Sequence, residues 1–121
     1  MIQLPYPPAN NRYYRHFRGM TVLSKEGKAF KIEAAWRCQA GGMRPLDGNV
    51  ELHAILHPRQ NKDGSPSKVR VDLDAILKAT CDSLNGVGYH DDKQITRIVA
   101  EIGAPVVGGA VSIQVSSIKG G

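Results

Sequence analysis

The chain has 121 residues, 41% of them hydrophobic and 22% charged, with a net charge of +5. These values suit an ordinary globular domain and exclude fibrous and disordered classes, and the length allows one buried core and not two. No apolar run approaches the roughly 20 residues needed to cross a bilayer, and "MIQLPYPPANN" lacks a basic head followed by an apolar stretch, so a cytoplasmic protein with no membrane partner is expected.

In chain order, Ile2 to Leu4 reads as a short edge strand that breaks at Pro5, Pro7 and Pro8, which cannot donate backbone hydrogen bonds. "ANNRYYRHFRGM" reads as a loop or irregular hairpin turning at Gly19. Ser24 is placed to cap a helix reaching about Ala40, with Ala29, Ile32, Ala35, Trp36 and Gln39 at helical spacing, and "GGMRP" ends it. "NVELHAILH" alternates Val50, Leu52, Ala54 and Leu56 against Glu51, His53, Ile55 and His57, the pattern of a strand with one buried face. "PRQNKDGSPSK" reads as a polar loop. A second helix runs from Asp72 to about Asn85, with Leu73, Ile76, Leu77, Thr80, Cys81 and Leu84 inward and Gly86 or Gly88 as terminator. "QITRIVAEI" and "AVSIQVSSI" are two further strands joined at "GAPVVGG". The order predicts an α+β fold, a small mixed β-sheet with two α-helices packed on one face, as a single domain over residues 1–121.

Cys38 and Cys81 belong to no C-x-x-C pair or zinc-spaced set and read as buried, reduced thiols. The charge is uneven. Residues 1–46 hold eight Lys/Arg against Glu26 and Glu33, and the remainder holds eight against nine acids, so the first part is +6 and the rest −1. That asymmetry fits either a solvated helix face or a polyanion-binding surface, because clustered Lys/Arg neutralise phosphates and release counterions.

Against this basic background, "VDLDAILKATCDSLNGVGYHDD" gathers Asp72, Asp74, Asp82, Asp91 and Asp92, five of the eleven acids, within residues 71–92. As helix-entry residues, Asp72 is an N-cap and Asp74 a first-turn acid favoured by the helix dipole. That leaves the Asp91-Asp92 pair beyond the helix unexplained. If the returning chain brings Asp92 back to Asp72 and Asp74, their repulsion needs a compensating cation, and Mg²⁺ typically takes one or two carboxylates plus waters and phosphate oxygens. Lys78, four residues after Asp74, reads either as an i,i+4 ion-pair partner or as a positive charge set against a scissile phosphate. Asp82 reads as structural.

Three stretches, "LPYPPANNRYYRH", "DLDAILKATCDSLNG" and "YHDDKQI", resemble in consistent order the RusA family of Holliday-junction resolvases found in phages and prophages. The resemblance implies a homodimeric, Mg²⁺-dependent endonuclease, with Mn²⁺ as a substitute cation, that binds four-way DNA junctions by shape and makes paired nicks in opposed strands. It assigns Asp72, Asp74 and Asp92 as catalytic aspartates and cation ligands, and Lys78 as the essential lysine. The chain departs from the family in three places: Ala75 stands where Asn is frequent, the usual arginine run is reduced to Lys68, Arg70 and distant Arg59, and the turn before residues 91 and 92 leaves Asp91 as the other candidate ligand.

Arg12, Arg15 and Arg18 recur every third residue, interleaved with Tyr13, Tyr14 and Phe17. Guanidinium forks suit phosphates and aromatic rings stack on unpaired bases. Asn10, Asn11, Arg12, Tyr14, Arg15 and Arg18, with Lys68 and Arg70, are therefore the expected DNA contacts, while at least one of the three rings is expected in the core. His53 and His57 share a strand face without further metal partners, and His90 reads as an exposed turn residue. The rival readings are a non-catalytic binder of branched DNA, suggested by Ala75, and an unrelated metal-dependent phosphohydrolase, against which the basic N-terminal part speaks.

Overall fold

The computed structural model describes residues 1–65 and 72–118. A mixed four-stranded sheet carries β1 (Ile2–Pro5), β8 (Ala110–Ser117), β4 (Val50–His57) and β6 (Ile95–Ile102), in the order β1-β8-β4-β6. β8 runs antiparallel to both β1 and β4, and β4 is parallel to β6. A parallel pair needs a long crossover, and here it contains α3 (Leu73–Ser83) and a 3-10 turn at Asp92–Gln94.

The alternation of β4 settles which way the sheet faces. Val50, Leu52, Ala54 and Leu56 are all buried, joined in one core by Leu4, Val111 and Ile113 from the sheet, Phe30, Ala34 and Cys38 from α2 (Lys25–Ala40), and Ile76, Ala79 and Leu84 from the α3 region. Each large side chain so buried contributes about 1.5–3 kcal/mol. The two long helices thus cover one face, as expected. The opposite face is half exposed and polar: His53 meets Glu101 Oε1 at 3.1 Å, and His57 bridges Ala104 O at 2.9 Å and Ser112 Oγ at 2.8 Å. Both histidines therefore hold strands together.

The N-terminal segment is more ordered than a loop. It forms a one-turn helix, α1 (Asn10–Tyr13), and then a hairpin of β2 (Tyr14–Phe17) and β3 (Met20–Leu23), turning through Arg18 and Gly19, both at positive φ. Ser24 caps α2 by accepting the Gly27 N–H at 2.9 Å, and also bonds the Arg12 and Tyr13 carbonyl oxygens, tying the helix start to α1.

Two expectations are corrected. The buried stripe of α2 is Gly27, Phe30, Ala34 and Cys38, whereas Ile32 and Trp36 are 69% and 66% exposed. Gly27 sets that rotation: a β-carbon there would collide with the Tyr13 carbonyl oxygen, so the glycine lets α2 press onto α1. The polar stretch after β4 also begins with a short strand, β5 (Arg59–Gln60), paired in parallel with β7 (Val106–Val107). Both cysteines are free thiols, Cys38 buried and Cys81 half-buried. Among the described residues no helix is long and apolar enough to cross a membrane.

Candidate active site

Helix α3 is the spine of the site. Asp74, Lys78, Cys81, Asp82 and Asn85 fall at i, i+4, i+7, i+8 and i+11, one face of a 3.6-residue helix and the turn that follows it. The apolar face opposite, through Ile76 and Ala79, is locked in the core, so the polar face must look outward toward α1 and β2. There Tyr13, fully buried, donates its hydroxyl proton to Asp82 Oδ2 at 2.6 Å. Burial, then the bond to Asp82 and its charge, pushes the Tyr13 phenol far above its ordinary range and keeps it a donor. One of the three interleaved rings is thus a core residue, as expected, and it is a core residue with a polar task.

The chain after α3 folds back tightly. Gly86, at φ 78°, supplies the left-handed turn, and its N–H donates to Tyr89 O at 2.7 Å. Buried Tyr89 donates its hydroxyl to the Cys81 carbonyl oxygen. This return sets Asp92 beside the C-terminal half of α3, where Asn85 Nδ2 makes two long hydrogen bonds, to Asp92 Oδ2 at 3.4 Å and to Asp82 Oδ1 at 3.5 Å. Tyr13, Asp82, Asn85 and Asp92 therefore form one connected polar chain. Burial raises the Cys81 thiol to about 11, with the charges of Asp92 and Asp82 adding to the effect, and burial with the same two carboxylates raises the Tyr14 phenol.

The two members of the acidic pair are used differently. Asp91 is exposed and accepts the Lys93 N–H at 2.9 Å in a capping box closed by Gln94. Asp92 is half-buried and faces α3. Asp72 stands at the N-cap of α3 but its side chain makes no cap hydrogen bond; it lines a cleft of about 340 Å³ with Tyr6, Arg12, Glu26, Arg59 and Ala75. Asp74 occupies the first turn and is exposed. Lys78 does not close an ion pair with Asp74; its ammonium lies 5.1 Å from the centre of the Tyr14 ring.

Among the described residues, no three His, Cys, Asp or Glu side chains share one ligand shell, so Asp72, Asp74 and Asp92 are not gathered into a single cluster. The oxygen chemistry nevertheless fits a hard divalent cation. Among the described residues Asn85 Oδ1 is buried with no hydrogen-bond partner, its amide bonded to two carboxylates, and no Lys, Arg or His lies within ion-pair distance of Asp72, Asp74, Asp82 or Asp92. An orphaned carbonyl oxygen costs roughly 1–3 kcal/mol, a penalty that a cation or water on that rim removes. Mg²⁺ bound through one or two carboxylates, with the rest from water and phosphate, does not require three acids in contact.

Of the expected DNA contacts, Arg12 lines the cleft at Asp72 and Tyr14 meets Lys78 of α3. Asn10, Asn11, Arg12, Arg15 and Arg18 are all exposed, and Tyr14 is half-buried beneath Lys78. Phe17, 50% exposed, carries Arg15 and Arg18 at 5.4 and 5.2 Å from its ring centre, a cationic aromatic tip on the hairpin. Lys68 and Arg70 lie outside the described residues. His90, exposed, bonds Asp47 Oδ1 at 2.8 Å. Sequence reasoning missed Asn85 and Tyr6. Asn85 read only as the end of a helix, and Tyr6 only as part of a proline-rich strand break.

A family model described as Endodeoxyribonuclease RusA matches residues 5–116. A crossover junction endodeoxyribonuclease RusA of Escherichia coli O139:H28 is 32% identical over 123 residues, covering 97% of this chain and 93% of that one. The enzymes of that name from Enterobacteria phage 82 and Escherichia coli K12 are 39% and 37% identical, each covering 78% of this chain and 74% of its own length. With the match spanning nearly the whole chain, the protein belongs to the RusA family of endodeoxyribonucleases.

Proposed function

We propose that this protein resolves four-way DNA junctions by paired symmetric nicks in opposed strands, using Mg²⁺ whose one or two carboxylate ligands are drawn from Asp72, Asp74 and Asp92, with water and phosphate oxygens completing the shell. The observation that carries the reading is the polar face of α3 with Asp92 folded back onto it: carboxylates with no described cationic partner, next to a hairpin that starts at Tyr14 under Lys78 and carries exposed arginines around Phe17 at its tip. Relatives named as crossover junction endodeoxyribonucleases support the substrate. Asp92 is preferred to Asp91, whose carboxylate is occupied in capping the 3-10 turn.

Each residue has a physical task. A divalent cation held there would polarise the phosphoryl oxygen, lower the pKa of bound water and stabilise the leaving oxyanion. Lys78, parked over Tyr14 with no ion pair among the described residues, is available to a phosphate oxygen and stabilises charge that develops on it. Arg12, Arg15 and Arg18 draw the backbone toward acids it would otherwise avoid. Phe17, half-exposed at the hairpin tip, is positioned to stack on a base left unpaired at the crossover. Paired cuts need two sites related by a two-fold axis, so the working form is a homodimer.

The test is cleavage of a labelled four-way junction by purified protein. Symmetric nicks that appear with Mg²⁺ and vanish with EDTA, from a species of twice the 13.1 kDa chain mass, are expected. Intact junction in Mg²⁺ and Mn²⁺ alike overturns the reading.

A further inference from the structure

We infer that Arg59 is a built-in phosphate contact for the DNA strand entering the cleft at Asp72. The inference rests on the junction-binding reading above and adds a residue that the acidic face and the hairpin do not supply. Arg59 is held from three sides. Its backbone pairs with Val106 through β5 and β7, its guanidinium lies 4.4 Å from the centre of the Tyr6 ring, and its stem passes beside Gly109. A β-carbon at Gly109 would sit 2.9 Å from Arg59 Cγ and would strike the Tyr6 ring, so the glycine, at φ 73°, is what lets ring and arginine stack.

This arrangement costs ordering entropy, and no described carboxylate lies within ion-pair distance of Arg59 to compensate for it. A guanidinium spread on a ring keeps its edge donors pointing away from the stack, pre-arranged for a planar pair of oxygens. Those donors share the cleft of about 340 Å³ with Arg12 and with Asp72, whose side chain has no capping duty. Ala75 on the same wall is small and leaves the cleft open. The cleft holds two guanidinium groups, Arg12 and Arg59, beside two carboxylates, Asp72 and Glu26, so a phosphodiester seated on the guanidinium groups would present its neighbour to Asp72.

The experiment is junction binding measured against salt in EDTA, so that no cleavage intervenes. For Arg59→Gln, affinity should fall roughly 5–10-fold and the slope of log K against log salt should shrink by about 0.9, the mark of one lost phosphate contact. Arg97→Gln removes the same charge from an exposed site 3.8 Å from Glu51 and should leave both unchanged. Arg59→Lys keeps the charge and should restore the slope, which excludes misfolding as the cause. Wild-type slope and affinity in Arg59→Gln overturn the inference while junction binding stands. A wild-type protein that binds junctions no more tightly than duplex sinks the reading beneath it as well.

Discussion

Replacing Tyr13 with Phe tests the polar chain that ties the N-terminal segment to the acidic face. The change keeps the ring in the core, where Tyr13 is fully buried and stands edge-on to Tyr14 at 4.7 Å. It deletes only the donor to Asp82 Oδ2 at 2.6 Å. A hydrogen bond to a charged acceptor contributes about 1.5–3 kcal/mol. Asp82 is half-buried, and water and the long bond from Asn85 offset part of the loss, so the net cost is about 1–2 kcal/mol. For a chain of this length that lowers the melting temperature by roughly 3–10 °C. A double-mutant cycle with Asp82→Ala, read by calorimetry, isolates the pair. Coupling above about 1 kcal/mol is expected, whereas effects additive within about 0.5 kcal/mol refute a connected chain. Because Tyr13 ends α1 and directly precedes the arginine-bearing hairpin, Tyr13→Phe should also weaken junction affinity while leaving the salt slope intact.

Two further expectations concern the rest of the fold. Burial raises the Cys38 thiol from 9.0 to about 11, and burial with Asp92 and Asp82 does the same to Cys81, so both favour the folded state while protonated. That stability is complete below pH 9 and is lost as pH rises through 11; a melting temperature that stays flat across this window contradicts it. The single tryptophan, Trp36, is 66% exposed, so its emission should shift little on unfolding and acrylamide should quench it in the native state. A blue-shifted, quench-resistant emission means that this face is covered in solution.

Much of the fold is local and was legible. The alternation of β4, the Ser24 cap and the breaking of β1 at its prolines each depend on neighbouring residues. The rotation of α2 was not legible, because apolar residues lie on both faces and the deciding residue, Gly27, carries no hydrophobic signal; only its contact with Tyr13 fixes the face. The two-residue strands β5 and β7 escape propensity because their pairing joins positions 47 residues apart. At the site, the D-x-D-x-x-x-K spacing and the aspartate pair are sequence-local and stood out. The bond from Tyr13 to Asp82 spans 69 positions, and the orphaned oxygen of Asn85 exists only once Asp92 has folded back, so neither has a linear signature.

The most direct measurement compares junction cleavage and junction binding for wild type, Asp74→Asn and Asp92→Asn. If these carboxylates hold the cation, cleavage falls by on the order of 10³-fold in both variants while junction affinity is kept or improves. Near-normal cleavage by Asp74→Asn, with a loss of about 0.3–1 kcal/mol of stability, would instead make it a first-turn acid favoured by the helix dipole and would contradict the proposed catalytic face of α3.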